Sequence, residues 1–465
     1  MTTRLYPHPS KEELIKQYVG KSLADVPTPS AVLDLSKLKA NCDRMLEAVD
    51  TLDIGWRAHI KTHKTTELTR LQVGEGNGPA NIIVSTLIEG EEIVPLLLEY
   101  KQKGRAVNLL YSFPVTPAAV ERLASMGRVL GPGGLCLMVD HPHQLASVVA
   151  IKEESGVAPL IFLKIDMGGH RAGVAPNSAA ASELISGILS LESQSICVFH
   201  GLYSHAGQSY SSSNRSDALD FLRQEFEALL VTAETVHATS GRKSLVLSVG
   251  ATPTTTSIRN LLIENEVTPA AESNAISALK ATLQTIRDLG CSLEIHAGVY
   301  PTLDVQQMAT HALPTSGPNA MLQWSDIAFT ILAEVASLYP GRGASGKTEA
   351  LVGAGVIAMG REPCKAYPGW GMLSPWNRPE ASMPTVGPEQ HAGWQLGRLS
   401  QEHGILVWAG EEKDVEALKV GQKVRIWPNH ACIAGVGFSW YLIVDSSLEG
   451  REDEIIDVWP RWRGW

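Results

Sequence analysis

The sequence predicts an α/β fold: a TIM-type (β/α)8 barrel followed by a second, β-rich domain. Three observations predict it. The chain has 465 residues, too many for one ordinary domain and enough for a barrel plus a further domain. Short apolar runs alternate with helical patterns from about residue 28 to residue 310, as βα units of a parallel sheet do. Beyond about residue 310 the alternation gives way to short strands among Gly-, Pro- and Trp-rich stretches such as 341–348 and 363–388.

Residues 10–20 read as a polar helix beginning at Ser10, with Glu13 at capping-box spacing. Residues 28–34 form the first strand, and Ser36 caps a helix with apolar positions Leu38, Met45 and Leu46. A strand follows over 52–56 and runs into Arg57. Strand then helix repeats at 82–85 and 89–101, 107–111 and 117–126, 135–140 and 143–154, 159–166 and 178–189, and 197–203 and 214–238. Strands at 245–250 and 292–296 complete the set. Counted from Val32 this gives about nine strands, close to the eight of a closed barrel. A doubly wound open sheet is the alternative, but no Gly-x-Gly-x-x-Gly turn follows the first strand to support it. The expected division is a barrel over 28–310 and a β-rich domain over 311–465, with short strands such as 404–408 and 424–427.

Bulk properties exclude several classes. Hydrophobic residues make up 44% and charged residues 19%, a globular balance. The net charge of −10, with no basic patch, argues against nucleic-acid or acidic-membrane partners. The longest apolar runs are strand-sized, and the N-terminus lacks an apolar run of signal-peptide length, so the expectation is cytoplasmic. Six scattered cysteines read as reduced thiols.

The chemistry concentrates at the ends of the predicted strands, where barrels carry their active sites. In Arg57-Ala58-His59-Ile60-Lys61-Thr62-His63-Lys64, alternate residues of a continuing strand would bring Arg57, His59 and Lys61 to one face. Such a cluster is costly unless it serves an anionic ligand, a cofactor or a lysine acting as an amine; a solvated basic turn is the other reading. Asp166-Met167-Gly168-Gly169-His170-Arg171-Ala172-Gly173 closes another strand. Tyr203 and His205 share a face at the end of the next. Ser248-Val249-Gly250-Ala251-Thr252-Pro253 offers glycine, hydroxyls and backbone N–H groups of the kind that cradle phosphate. Glu294-Ile295-His296-Ala297-Gly298-Val299-Tyr300 ends the last strand. In Pro428-Asn429-His430-Ala431-Cys432, an imidazole and a thiol two residues apart on a strand would face the same side, and both are good zinc ligands.

In order, these motifs resemble the D-serine dehydratase and D-threonine aldolase group of pyridoxal-phosphate enzymes, which share the alanine racemase type of barrel. The resemblance runs from Thr28 to Cys432. It implies that Lys61 holds pyridoxal 5'-phosphate as a Schiff base, with His59 beside it and Ala58 replacing the group's usual proline. It implies that Arg171 contacts the phenolic oxygen, Tyr203 lies close to the ring and His205 lies beneath or beside it. Ser248, Gly250, Thr252, Gly298 and Tyr300 would surround the phosphate, with Val299 in place of the group's asparagine. His430 and Cys432 would bind Zn2+, leaving other positions to water and substrate. The implied activity is dehydration of a small D-amino acid, D-serine to pyruvate and ammonia, with D-threonine to 2-oxobutyrate as a further reaction. A D-threonine aldolase is the nearest alternative; the aldolases carry His-x-Asp at the metal position, whereas His430-Ala431-Cys432 is the dehydratase form. A non-catalytic pyridoxal-phosphate-binding protein would lack the β domain. The resemblance also implies a homodimer and places residues 1–27 with the β-rich domain.

Overall fold

Residues 7–241, 244–263 and 269–465 are described in the computed structural model. They divide into two units. One comprises Arg44–Lys61, Thr69–Gly298 and Gly464–Trp465; the other comprises Met1–Asp43, as far as it is described, with Thr62–Leu68 and Val299–Arg463.

The chain opens with helix α1 (Lys11–Tyr18), where the Ser10 hydroxyl accepts from the Glu13 N–H as the sequence predicts. Strand β1 (Ser30–Asp34) and helix α2 (Leu35–Thr51) follow. Ser36 lies inside α2 and donates to Asp34 Oδ1 at 2.8 Å, so it is not the cap the sequence suggested. The barrel then builds from β2 (Gly55–His59), β3 (Ala80–Val84), β4 (Val107–Pro114), β5 (Leu135–Val139), β6 (Leu160–Lys164), β7 (Val198–Tyr203), β8 (Val246–Val249) and β9 (Ser292–Ala297). Each pairs in parallel with the next, and β9 closes on β2. Between them run α3 (Thr66–Val73), α4 (Leu87–Gln102), α5 (Val120–Leu130), α6 (Gln144–Ser155), α7 (Ala179–Ser193), α8 (Arg215–Ser240), α9 (Thr252–Ser257) and α10 (Ala270–Asp288). The strands are nearly continuous apolar runs, β5 buried at every residue, because helices cover the outer face of a closed parallel sheet. Inside, Ile83, Leu110, Cys136, Met138, Phe162 and Tyr203 pack together.

β1 is where the sequence reading fails. It pairs antiparallel with β10 (Phe329–Tyr339), Ser30 opposite Leu332, and parallel with β16 (Trp440–Val444) in the second unit. Removing it from the nine predicted strands leaves the eight of the barrel. A strand followed by a helix looks locally like a βα unit whichever sheet it joins; its partners, three hundred residues away, decide. The barrel unit accordingly begins at Arg44 instead of 28 and ends at Gly298 instead of 310.

The second unit carries α11 (Val305–Thr310), then β10, β11 (Glu349–Val352), α12 (Val356–Met359), β12 (Gly371–Leu373), β13 (Trp394–Leu399), β14 (Gly404–Trp408), β15 (Lys423–Pro428), α13 (Ala431–Ala434), β16 and β17 (Asp457–Pro460). Nine strands form one sheet in the order β11-β14-β13-β12-β15-β10-β1-β16-β17. Leu14, Tyr18, Leu23 and Val26 pack with Val32, Leu332 and Leu442 in this unit. Among the described residues no helix is long and apolar enough to cross a membrane.

Candidate active site

Arg57 is 1% exposed inside the barrel, and its charge is answered there. Its Nε donates to Glu294 Oε1 at 2.7 Å, Nη1 donates to Asn108 Oδ1 at 2.6 Å, and the guanidinium lies 5.5 Å from the Phe162 ring centroid. The expectation that Arg57 joins His59 and Lys61 in facing a ligand is therefore corrected. Arg57 sits in the body of β2, while Lys61 lies beyond its end in a turn.

Lys61 and His59 instead line a cavity of about 280 Å³ at the C-terminal ends of the strands, with Ser85, Ser112, Met138, Lys164, Arg171, Tyr203 and His205. Among the described residues that line it there is no aspartate or glutamate. Burial, reinforced by the Lys61 charge, holds the imidazoles of His59 and His205 well below the usual histidine range, so both are neutral at neutral pH. The His205 Nδ1 is 2.6 Å from the Gly250 carbonyl, which only accepts, so Nδ1 carries the proton and Nε2 is an acceptor. Tyr203 stacks on His296 at 4.2 Å between ring centroids and 10° between planes, and burial raises its phenol, which stays protonated. Fixed cations beside neutral imidazoles and a flat phenol suit a planar anion.

The loop presenting Arg171 is built by its own sequence. Asp166 Oδ1 accepts from the Gly168 and His170 N–H groups, both at 3.0 Å, and Ile165 bridges Val174. Gly173 has φ +109°, and a Cβ there would lie 2.8 Å from the Asp166 nitrogen, so glycine alone fits.

The structure uses two groups of the expected phosphate turn internally. Glu225, on α8, is fully buried and accepts from the Ala206 N–H at 2.7 Å, the Gly250 N–H at 3.3 Å and the Thr254 hydroxyl at 2.9 Å. The Ser248 hydroxyl lies 3.1 Å from His296 Nδ1. Ser248, Gly250, Thr252 and Gly298 are not among the residues lining the cavity, and Tyr300 belongs to the second unit, its hydroxyl 4.0 Å from the Cys42 sulfur. The Gly250 N–H and Ser248 hydroxyl are thus corrected from free donors to engaged ones. Sequence reasoning missed Glu225, although it stands between Leu222, Phe226 and Leu229 on the buried face of α8, where a carboxylate needs partners.

It also passed over Lys164, buried and lining the cavity. Its Nζ lies 5.3 Å from the Tyr203 ring centroid, and burial pushes its pKa down to about 8 against the pull of Glu225.

His430 and Cys432 stand in the second unit. Strand β15 ends at Pro428, His430 is the N-cap of α13, and Cys432 lies in its first turn, so the strand-periodicity argument for a shared face does not apply. Asn429 anchors the segment: its Nδ2 donates to the Glu362 and Gly369 carbonyls, and Tyr367 donates to its Oδ1. Cys432 Sγ is 3.0 Å from the Thr62 hydroxyl, and His430 Nδ1 is 3.7 Å from Asp304 Oδ2. Among the described residues no three His, Cys, Asp or Glu side chains assemble to hold a metal ion. An imidazole–thiol pair of this kind suits zinc with open positions.

Known proteins give the context. Residues 33–269 match the alanine racemase N-terminal domain family, and residues 328–444 match the serine dehydratase domain family. The chain is 38% identical to the D-serine dehydratase of Schizosaccharomyces pombe over 472 aligned residues, covering 100% of this chain and 98% of that one. It is 32% identical to the D-serine dehydratase of Saccharomyces cerevisiae, covering 97% and 100%. The solved D-threo-3-hydroxyaspartate dehydratase from Delftia sp. HT23 superposes with a TM-score of 0.71 at 25% identity, over 96% of this chain and 100% of that one. End-to-end identity of this extent, on an alanine racemase-type barrel joined to a β-rich unit, makes the chain a member of the D-serine dehydratase family.

Proposed function

We propose that the protein is a pyridoxal-phosphate- and zinc-dependent D-serine dehydratase, releasing pyruvate and ammonia from D-serine and 2-oxobutyrate from D-threonine. The observation that carries this is the convergence of Lys61, Arg171, Tyr203 and His205 on one cavity, in a chain matched along its length by D-serine dehydratases. Lys61 Nζ would hold the cofactor aldehyde, and the same amine, once free, is the base that takes the proton from the substrate Cα. Arg171 would face the phenolate oxygen, His59 and Tyr203 flank the ring, and the neutral His205 offers its Nε2 as an acceptor. Bound there, the cofactor supplies an electron sink for the charge left at Cα. His430 and Cys432 would hold zinc, a Lewis acid for the β-oxygen of the substrate. Their support is the donor chemistry of the pair and the existence of a metal-free form of a D-threo-3-hydroxyaspartate dehydratase variant among the structural neighbours. A homodimer working in the cytoplasm is part of the same reading, supported by the racemase-type architecture and six free cysteines.

The test incubates the holoenzyme with D-serine and with D-threonine and identifies products by mass spectrometry. Pyruvate from D-serine that disappears on chelation, and is absent with Lys61→Ala, is the expected result. Glycine and acetaldehyde from D-threonine, without pyruvate from D-serine, would overturn it in favour of an aldolase.

A further inference from the structure

We infer that Thr62 and Asp304 are positioning residues for the metal ligands: the Thr62 hydroxyl donates to the Cys432 sulfur, and the Asp304 carboxylate orients the His430 imidazole. The inference rests on the zinc reading above and goes beyond it by naming what surrounds the ligands.

The geometry is specific. Thr62 Oγ1 and Cys432 Sγ are 3.0 Å apart, with Thr62 2% exposed. Either atom could donate in the free protein. A metal-bound sulfur is a thiolate and has no proton, so the hydroxyl must then be the donor. That hydrogen bond withdraws charge from the sulfur and leaves the metal a stronger Lewis acid, which suits departure of a β-hydroxyl.

Asp304 is fully buried, and its carboxylate is held on two sides. Oδ1 accepts from the Gln307 N–H at 3.0 Å as N-cap of α11, and Oδ2 accepts from the Ala431 N–H at 2.9 Å. Oδ2 also lies 3.7 Å from His430 Nδ1, a charge contact beyond hydrogen-bond distance. A negative charge on the Nδ1 side favours the proton there, which would leave the Nε2 lone pair available to a metal. The same side chain ties the start of α13 to α11. One buried acid thus anchors the first turn of α13 and places its charge beside the His430 imidazole.

The test uses the full chain loaded with pyridoxal phosphate and with cobalt(II) in place of zinc. Thr62→Val keeps the shape and removes the hydroxyl; Thr62→Ser restores it. Asp304→Asn keeps a good N-cap and removes the charge. Circular dichroism checks that each variant is folded. Thr62→Val should shift the thiolate-to-cobalt charge-transfer band, with Thr62→Ser returning it. Asp304→Asn should weaken zinc binding, measured by chelator competition, about 10–100-fold. Folded variants with wild-type band and wild-type zinc affinity overturn the inference while leaving the zinc reading intact. A wild-type protein that shows no charge-transfer band overturns both.

Discussion

Breaking the buried pair Arg57–Glu294 tests whether Arg57 is a structural cation. Replacing Glu294 with Leu leaves a guanidinium that is 1% exposed with Asn108 and the Phe162 face as its remaining partners. Replacing Arg57 with Met leaves the Glu294 carboxylate, among the described residues, with the Asn81 amide at 3.3 Å. An uncompensated buried charge costs about 3–5 kcal/mol. At about 2–4 °C per kcal/mol for a domain of the barrel's size, each single variant should melt roughly 6–20 °C below the parent. The double variant removes both charges and strands only neutral amide groups, a loss of about 1–3 kcal/mol. It should therefore melt above either single variant. Differential scanning fluorimetry of the four proteins, loaded with cofactor at one pH and ionic strength, reads the cycle. A single variant within about 1 kcal/mol of the parent, or a double variant falling by the sum of the singles, would refute the reasoning. So would an Arg57→Met protein that melts normally but no longer retains cofactor, which would return Arg57 to the ligand site.

Two further outcomes follow. Arg171→Ala should retain cofactor and lose a charge-assisted contact of about 1.5–3 kcal/mol, lowering D-serine turnover roughly 10–100-fold in a continuous pyruvate assay; unchanged turnover would place Arg171 outside the chemistry. Glu225 is raised from 4.5 to about 7, first by burial, so the folded state holds its proton more tightly than the unfolded state. Its contribution is full below about pH 4.5 and lost as pH rises through about 7, on the order of 3 kcal/mol. Glu225→Gln should flatten the parent's decline in denaturation midpoint between pH 5 and 8, and an unchanged slope would assign that decline elsewhere.

What the sequence determined by itself is the local part of this protein. Alternating apolar runs and helical periods fix the elements, and Ser10, Ser178 and Asn214 mark helix starts because a cap is a contact within three residues. Strand-end motifs marked Lys61, His59, Arg171, Tyr203 and His205, because a barrel gathers the ends of its strands at one mouth. Tertiary structure decided whatever depends on a distant partner. β1 reads as a barrel strand and joins another sheet through β10 and β16. Arg57 reads as a ligand cation until Glu294, 237 residues on, neutralises it. The Gly250 N–H reads as a free donor until Glu225 claims it from α8. Cys432 meets Thr62 across 370 residues, and α13 begins where strand periodicity was expected to continue. Periodicity records which face a side chain takes; the neighbour that satisfies its charge or hydrogen bond is chosen by the packing of elements far apart in the chain.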